Sequence, residues 1–239
     1  MSVGLIEGAG LLLRLLPYTE KLLKWNRLRK AKDLFGSDIA NEYFLIWPQY
    51  VPPQAGLNKP YPRLAQHVYY GAGTQPEVAA SAEVRAVAYL SKEIGDLTGS
   101  VPSIVPDVEV ETEMDLSFIS LGALTNYKTQ DCLRDGANVF VDMTADSIVS
   151  KRAHQPPISR SRPDEDYGLI LKIPPETYPQ RNWICCAGIA DWGTSGAAYY
   201  LANHWRELWD RAKSRPFACV TRTEVRSDES TSMFAFLGQ

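Results

Sequence analysis

The chain has 239 residues, 45% of them hydrophobic, with 25 basic and 28 acidic side chains and a formal charge of -3. These values are typical of a globular protein with one large or two small domains, and they argue against a disordered chain. No uncharged apolar run is long enough to span a membrane as a helix. Four irregularly spaced cysteines form neither a disulfide framework nor a metal-ligand pattern. We therefore expect a cytoplasmic protein without a bound metal.

The charge is unevenly distributed along the chain. Residues 1–36 carry seven basic and three acidic side chains, a net charge of +4, which leaves -7 on the rest of the chain. A surface that follows nucleic-acid phosphates needs a dense basic stripe across the fold. The acidic body therefore argues against nucleic acid as a partner.

Residues 1–36 are predicted to form an amphipathic, basic helical arm. Apolar side chains recur at three-, four- and seven-residue steps, at Leu5, Ala9, Leu12, Leu16 and Leu23. Two interpretations stay open. The helix packs on its own body, on a partner protein or on a second copy in a homo-oligomer, or it lies on an anionic membrane surface with Trp25 near the headgroups.

Residues 37–239 are predicted to form one Rossmann-like α/β domain, joined to the arm through a Pro-rich connection over 48–63. Strands are expected at 43–47, 67–70, 103–110, 116–121, 139–141, 167–173, 183–187 and 217–221. Helices are expected at 76–97, before 133 and at 194–213, with a long polar loop over 146–166. Apolar strands that alternate with helices indicate a mainly parallel sheet in a three-layer arrangement.

The sharpest local pattern is the Gly-rich loop between the strand at 183–187 and the helix that follows. Its candidate ligand-binding residues are Gly188, Gly193, Thr194, Ser195 and Gly196. Glycines let backbone N–H groups approach an anion, and a hydroxyl at the helix N-cap adds to that attraction. The spacing is similar to a phosphate loop, but Thr194 stands where that motif has lysine, which argues against an ordinary NTPase. The alternative is that the glycines only allow close packing of the helix on the sheet.

Two further turns follow predicted strands. Their candidate ligand-binding residues are Gly71, Gly73, Thr74, Gly122, Thr125 and Asn126. Because the carboxyl ends of parallel strands open on one edge of a sheet, we expect the three turns to converge there. Tight βα turns also select Gly, Thr and Asn for conformational reasons alone. At the level of fold, the arrangement is similar to Rossmann-like nucleotide sensors and nucleotide N-glycosidases.

The sequence therefore predicts binding or sensing of a nucleotide or another phosphorylated small molecule, coupled to an oligomer, a membrane or a partner through the N-terminal helix. No cofactor motif is present, and neither G-x-S-x-G nor H-E-x-x-H occurs. A nucleotide or NAD-type N-glycosidase is one alternative, with Glu77 or Asp191 as weak candidates for the catalytic carboxylate. An assembly or scaffold protein without a ligand is the other.

Overall fold

The computed structural model describes residues 21–49, 80–152 and 155–238. In these ranges the helices are α1 over 21–35, α2 (Ser81–Thr98), α3 (Tyr127–Arg134) and α4 (Asp191–Ala212), with a 3-10 turn at Ser37–Ala40. The strands are β1 (Phe44–Trp47), β2 (Ser103–Pro106), β3 (Phe118–Leu121), β4 (Val141–Met143), β5 (Ser147–Ser150), β6 (Ile158–Ser159), β7 (Glu165–Ile173), β8 (Trp183–Gly188), β9 (Phe217–Glu224) and β10 (Ser227–Gly238).

Seven strands form one sheet in the order β10-β9-β7-β8-β3-β1-β2. Strands β2, β1, β3, β8 and β9 run in one direction, whereas β7 and β10 run in the other. The prediction of a mixed α/β fold with a mostly parallel sheet is confirmed, but the antiparallel β7 was not foreseen. Only nine residues separate Ile173 from Trp183, fewer than the dozen or so that a parallel crossover needs.

Both faces of the sheet are buried, as the side chains of β8 illustrate. Trp183 and Cys185 contribute to one core cluster, whereas Ile184 and Cys186 contribute to the other. Helices α1, α2 and α4 cover the second face, and α3 and a small antiparallel sheet of β4, β5 and β6 cover the first. A strand buried on both faces has apolar side chains at most of its positions, which explains the nearly continuous apolar runs in the sequence.

The segment 146–166, predicted as a surface loop, contains two of the strands in the small sheet. β5 pairs antiparallel with both β4 and β6, and Ile148 at its centre is only 1% exposed. Short strands with polar flanks have little intrinsic preference for the β conformation. Here the packing of Ile148 in the core between the small sheet and the main sheet stabilises β5.

The described part of α1 has two different ends. Leu22, Leu23 and Trp25 are more than 60% exposed, whereas Leu34 and Phe35 are fully buried against the sheet. The last turns of this helix therefore belong to the core. Residues 1–20 lie outside the described residues, and the division into an arm and a body at residue 36 stays a prediction. None of the helices described is long and apolar enough to cross a bilayer.

A buried lysine joins the ends of two helices to the sheet. The Nζ atom of Lys172 on β7 donates hydrogen bonds to the carbonyl oxygens of Asp33, 2.8 Å away, and Ser214, 3.0 Å away. These carbonyls lie at the C-terminal ends of α1 and α4, where the helix dipole attracts a cation. Burial lowers the pKa of Lys172 to about 8, although the nearby Asp33 acts in the opposite direction.

We expect the stability of the wild-type protein, relative to that of Lys172→Met, to depend on pH. The folded pKa of about 8 lies below the ordinary value of 10.5, so the unfolded chain binds more protons between these pH values. The free energy of unfolding of the wild type should therefore rise, relative to the variant, by about 3 kcal/mol across that window. Urea denaturation of both proteins across the window measures the difference. A difference that stays constant with pH would contradict the burial of a charged amine.

Candidate functional site

The parallel strands β1, β3 and β8 end at the same edge of the sheet, and the chain changes direction there. From β1 the chain leads through α2 to β2 on one side, whereas from β3 it leads towards α3 and the side of β7 and β8. α2 packs on one face of the sheet and α3 on the other. We name the region beyond the carboxyl ends of the paired strands β1 and β3 the β1–β3 crevice. Ligands of α/β proteins commonly bind at such a reversal in strand order.

One wall of the crevice requires a glycine. Gly122, directly after β3, has a φ of +96°, and a Cβ atom there would lie 3.1 Å from Cγ of Pro48 and 3.2 Å from Oε1 of Glu83. Two exposed or half-buried side chains follow, Leu124 and Thr125. The conformation and the close approach to Pro48 together exclude larger residues at position 122. This candidate residue therefore allows the end of β3 to pack closely against Pro48.

Asn126 holds three elements together beneath the crevice. Its Oδ1 atom accepts hydrogen bonds from the backbone N–H groups of Lys128, 2.9 Å away, and Thr129, 3.4 Å away, which caps α3. Its Nδ2 atom donates to the carbonyl oxygens of Ile46 and Leu121, at the ends of β1 and β3. The side chain is fully buried. In the structure, this candidate ligand-binding residue caps α3 and joins the ends of two strands.

Asp107 is a second buried support that the sequence analysis missed. One carboxylate oxygen accepts a hydrogen bond from the backbone N–H of Gln49, 3.1 Å away, and the other from that of Tyr127, 2.9 Å away. The residue follows β2 and is fully buried. It therefore fixes the ends of β1 and β2 against the start of α3. No local sequence pattern indicates this role, because the donors lie 58 and 20 residues away.

The carboxylate of a β7 residue lies against the Gly-rich loop that follows β8. Asp166 on β7 accepts hydrogen bonds from the backbone N–H groups of Gly193 (2.6 Å), Tyr167 (2.9 Å) and Ala190 (3.2 Å). Burial raises the pKa of Asp166, although these donors and a nearby arginine act to lower it. α4 begins at Asp191 with Ala190 as its N-cap, so Thr194 is not the cap that the sequence predicts. The Asp166 carboxylate, and not the Thr194 hydroxyl, accepts hydrogen bonds from backbone N–H groups at the start of α4.

The three glycines of this loop lie against neighbouring backbone and side-chain atoms. A Cβ atom would lie well under 3.0 Å from the Thr194 nitrogen at Gly188, from the Tyr167 carbonyl oxygen at Gly193 and from Thr223 Oγ1 at Gly196. Contacts this short essentially never occur at a real Cβ atom. These positions therefore support the packing alternative that the sequence analysis left open.

A polar network links the N-terminal half of α2 and the first turn of α4 to the hairpin of β9 and β10. Asp228 accepts hydrogen bonds from Ser195 Oγ (2.6 Å), Arg85 Nε (2.9 Å) and the Tyr89 hydroxyl (3.0 Å). Arg85 also donates to Ser195 Oγ and lies 4.1 Å from the ring centroid of Trp192. Burial, and then the charge of Asp228, raise the pKa of Tyr89 to about 12. Ser195, a predicted ligand-binding residue, thus belongs to an internal network.

The remaining candidates divide between two locations. Gly71, Gly73, Thr74 and Glu77 lie outside the described residues, in the segment 50–79 that joins the end of β1 to the start of α2. Asp191 is the exposed first residue of α4. The part of the chain that the structure describes contains no group of three or more His, Cys, Asp or Glu residues suited to a metal ion.

No protein-family model matches this sequence, and a search of curated proteins gives no significant match. Function therefore has to be inferred from the geometry of the crevice. That geometry combines a reversal of strand order, a glycine with positive φ and two buried polar supports, Asp107 and Asn126.

Proposed function

We propose that this protein binds a nucleotide or another phosphorylated small molecule in the β1–β3 crevice of a Rossmann-like domain. The observation that carries the proposal is the order β2-β1-β3-β8, in which the chain leaves β1 and β3 in opposite directions. This is the order at the switch point of flavodoxin-like proteins, whose ligands bind outside the carboxyl ends of the two central strands. N-terminal coupling to an oligomer, a membrane or a partner is part of the same proposal.

The start of α2 supports an anionic ligand at this edge. The N-cap of α2 is Ala80, and α2 has no side-chain capping hydrogen bond. In contrast, the Asn126 side chain caps α3, and Asp166 accepts a hydrogen bond from the backbone N–H of Gly193 in the first turn of α4. The first N–H groups of a helix attract phosphate oxygens. Gly71, Gly73 and Thr74 lie shortly before α2 in the sequence. We therefore assign ligand contact to these three residues together with Gly122 and Thr125.

The loop after β8 has a supporting role in this proposal. Asp166 satisfies the N–H group of Gly193 at the N-terminus of α4, and the glycines are needed for close packing. A phosphate at that helix end would be placed beside a buried carboxylate, and like charges repel strongly in a region of low dielectric constant. Buried carboxylates also lie near the crevice, at Glu83 and Asp107. The assignment of the ligand to β1 and β3 therefore depends on the strand order.

The exposed end of α1 supports the coupling part of the proposal. Leu22, Leu23 and Trp25 are exposed together with the basic side chains of Lys21 and Lys24. Apolar and basic side chains in one exposed helical segment suit either an anionic lipid surface or an acidic protein surface. The core-packed end of the same helix gives the segment a fixed connection to the sheet.

Thr125→Glu tests the ligand site directly. Thr125 is half-buried beside the crevice, and a carboxylate there should repel phosphate and weaken nucleotide binding by about tenfold or more. The matched control is Val101→Glu, which adds the same charge at an exposed position before β2, at the amino edge of the sheet. Calorimetric titration of the full-length proteins with a panel of nucleotides measures both affinities.

The same samples separate the three functions that the sequence left open. Analysis of the recovered nucleotides distinguishes retention of an intact ligand, as we expect, from release of the free base, which would indicate an N-glycosidase. Absence of binding across the panel, or equal losses in both variants, would contradict the proposed site and favour an assembly protein.

A further inference from the structure

A second surface is a groove between α4 and β10, at the opposite end of the strand order from β1 and β2. It has a volume of about 620 Å³. Its lining residues are Tyr200, His204, Glu207 and Arg211 on α4, and the residues 231–236 on β10. Within the described part of the sheet, β10 is an outermost strand that pairs with β9 alone. We name this surface the β10 edge.

The β10 edge lacks the side chains that usually protect an outermost strand. From Ser230 to Gly238 no residue is charged, none is proline, and Phe234 is 49% exposed. Natural edge strands are normally short, charged or interrupted by proline, because an unprotected edge offers its backbone N–H and C=O groups to another strand. The first part of this 12-residue strand carries Asp228 and Glu229, so the nine residues 230–238 are the part suited to pairing with a second strand. Their register with β9 shifts between Met233 and Ala235.

The helical wall of the groove carries charges of both signs. Glu207 lies 3.2 Å from Arg211 one turn later, and it accepts a hydrogen bond from the Tyr200 hydroxyl at 2.7 Å. His204 stacks on Tyr200, with ring centroids 4.6 Å apart, and Arg211 lies over Phe236. When two copies of such a surface meet about a two-fold axis, each glutamate can face the arginine of the other copy.

We propose that the β10 edge binds a second copy of this chain, with β10 of one copy antiparallel to β10 of the other and with Glu207 of each copy facing Arg211 of the other. A two-fold contact requires one surface to be complementary to itself in hydrogen bonding and in charge. The outer edge of β10, which pairs with no other strand among the described residues, supplies the first, and the Glu207–Arg211 pair supplies the second. This interface does not depend on the ligand proposed for the crevice.

Sedimentation velocity of the full-length protein tests the interface. We expect a concentration-dependent dimer, and we expect Phe234→Lys to raise its dissociation constant by about tenfold or more, because the added charge would be buried against its own copy. The control is Val101→Lys, which also replaces an apolar residue by lysine. Val101 is 78% exposed and distant from the β10 edge, so this variant should form the same dimer as the wild type.

Charge reversal distinguishes an interface from a folding defect. Glu207→Arg and Arg211→Glu should each form weaker dimers alone, since like charges then meet across the axis. An equimolar mixture of the two variants should recover the dimer, because every arginine of one then faces a glutamate of the other. A local structural defect would not be rescued by mixing.

Three results would overturn the proposal. They are a wild-type protein that stays monomeric at every concentration, a mixture of the charge-reversed variants that does not associate, and a dimer that Leu12→Asp with Leu16→Asp dissociates while Phe234→Lys does not. The last result would place the interface in the N-terminal arm. Loss of nucleotide binding in Thr125→Glu with an intact dimer would separate the two proposals.

Discussion

Gly193→Ala is expected to lower the free energy of unfolding by about 3 kcal/mol or more. The first turn of α4 lies directly on β7, so a methyl group at position 193 would meet the carbonyl group of Tyr167. Backbone atoms on both sides cannot move aside as the end of a long side chain can. The helix would have to shift away from the strand and break the hydrogen bond from the Gly193 N–H to Asp166.

Gly95→Ala is the control for this substitution. Gly95 lies inside α2, where an added Cβ atom would meet nothing closer than 4.0 Å. Alanine is the better helix former, so the variant should be more stable than the wild type by about 0.5–1 kcal/mol. Urea denaturation of both variants supplies the comparison. Similar stabilities would show that close packing at Gly193 is unimportant.

Asp166→Ala is expected to lower the free energy of unfolding by about 3 kcal/mol. The substitution removes the acceptor for three backbone N–H groups, and a buried donor without a partner costs about 1–3 kcal/mol. The raised pKa of Asp166 indicates that burial opposes its charge, which limits the loss. Hydrogen exchange should show lower protection in the first turn of α4.

Asp142→Ala is the matched control for the loss of a carboxylate. Asp142 is 62% exposed and forms an ion pair with Lys151 at 3.2 Å, which is worth at most about 1 kcal/mol at a surface. Comparable destabilisation in the two variants, with unchanged exchange in α4, would contradict a capping role for Asp166.

Much of the main sheet could be predicted from the sequence because its strands are buried on both faces. The apolar runs at β1, β3, β7, β8 and β9 mark each strand, and Gly99 marks the end of α2, where it adopts a left-handed conformation with φ +76°. β10 was not predicted, because its first six residues are polar and the strand shows no regular alternation of apolar and polar residues. Its position depends on pairing with β9 through an irregular register.

Among the features of the candidate site, those set by local residue preferences could be predicted from the sequence, whereas the positions of Asp107 and Asp166 could not. The turn of Gly122 and the N-cap of Asn126 follow from local residue preferences. The position of Asp166 beside the Gly-rich loop depends on the antiparallel pairing of β7 with β8, in which Gly168 lies opposite Gly188. The spacing of a phosphate loop therefore has a packing explanation here, since the same glycines allow a neighbouring strand to approach.

Because successive side chains of β8 point to opposite faces of the sheet, Cys185 and Cys186 are buried on different sides of it. Cys185 lies with Cys132 in one core cluster and Cys186 with Cys219 in the other, and all four thiols are buried. Burial raises the pKa of Cys132, Cys186 and Cys219, which keeps these thiols protonated and unreactive. Alkylation of the native protein consequently requires an opening motion. The natural cysteines thus form two pairs, and modification of a pair would report exposure of the core on its own side of the sheet.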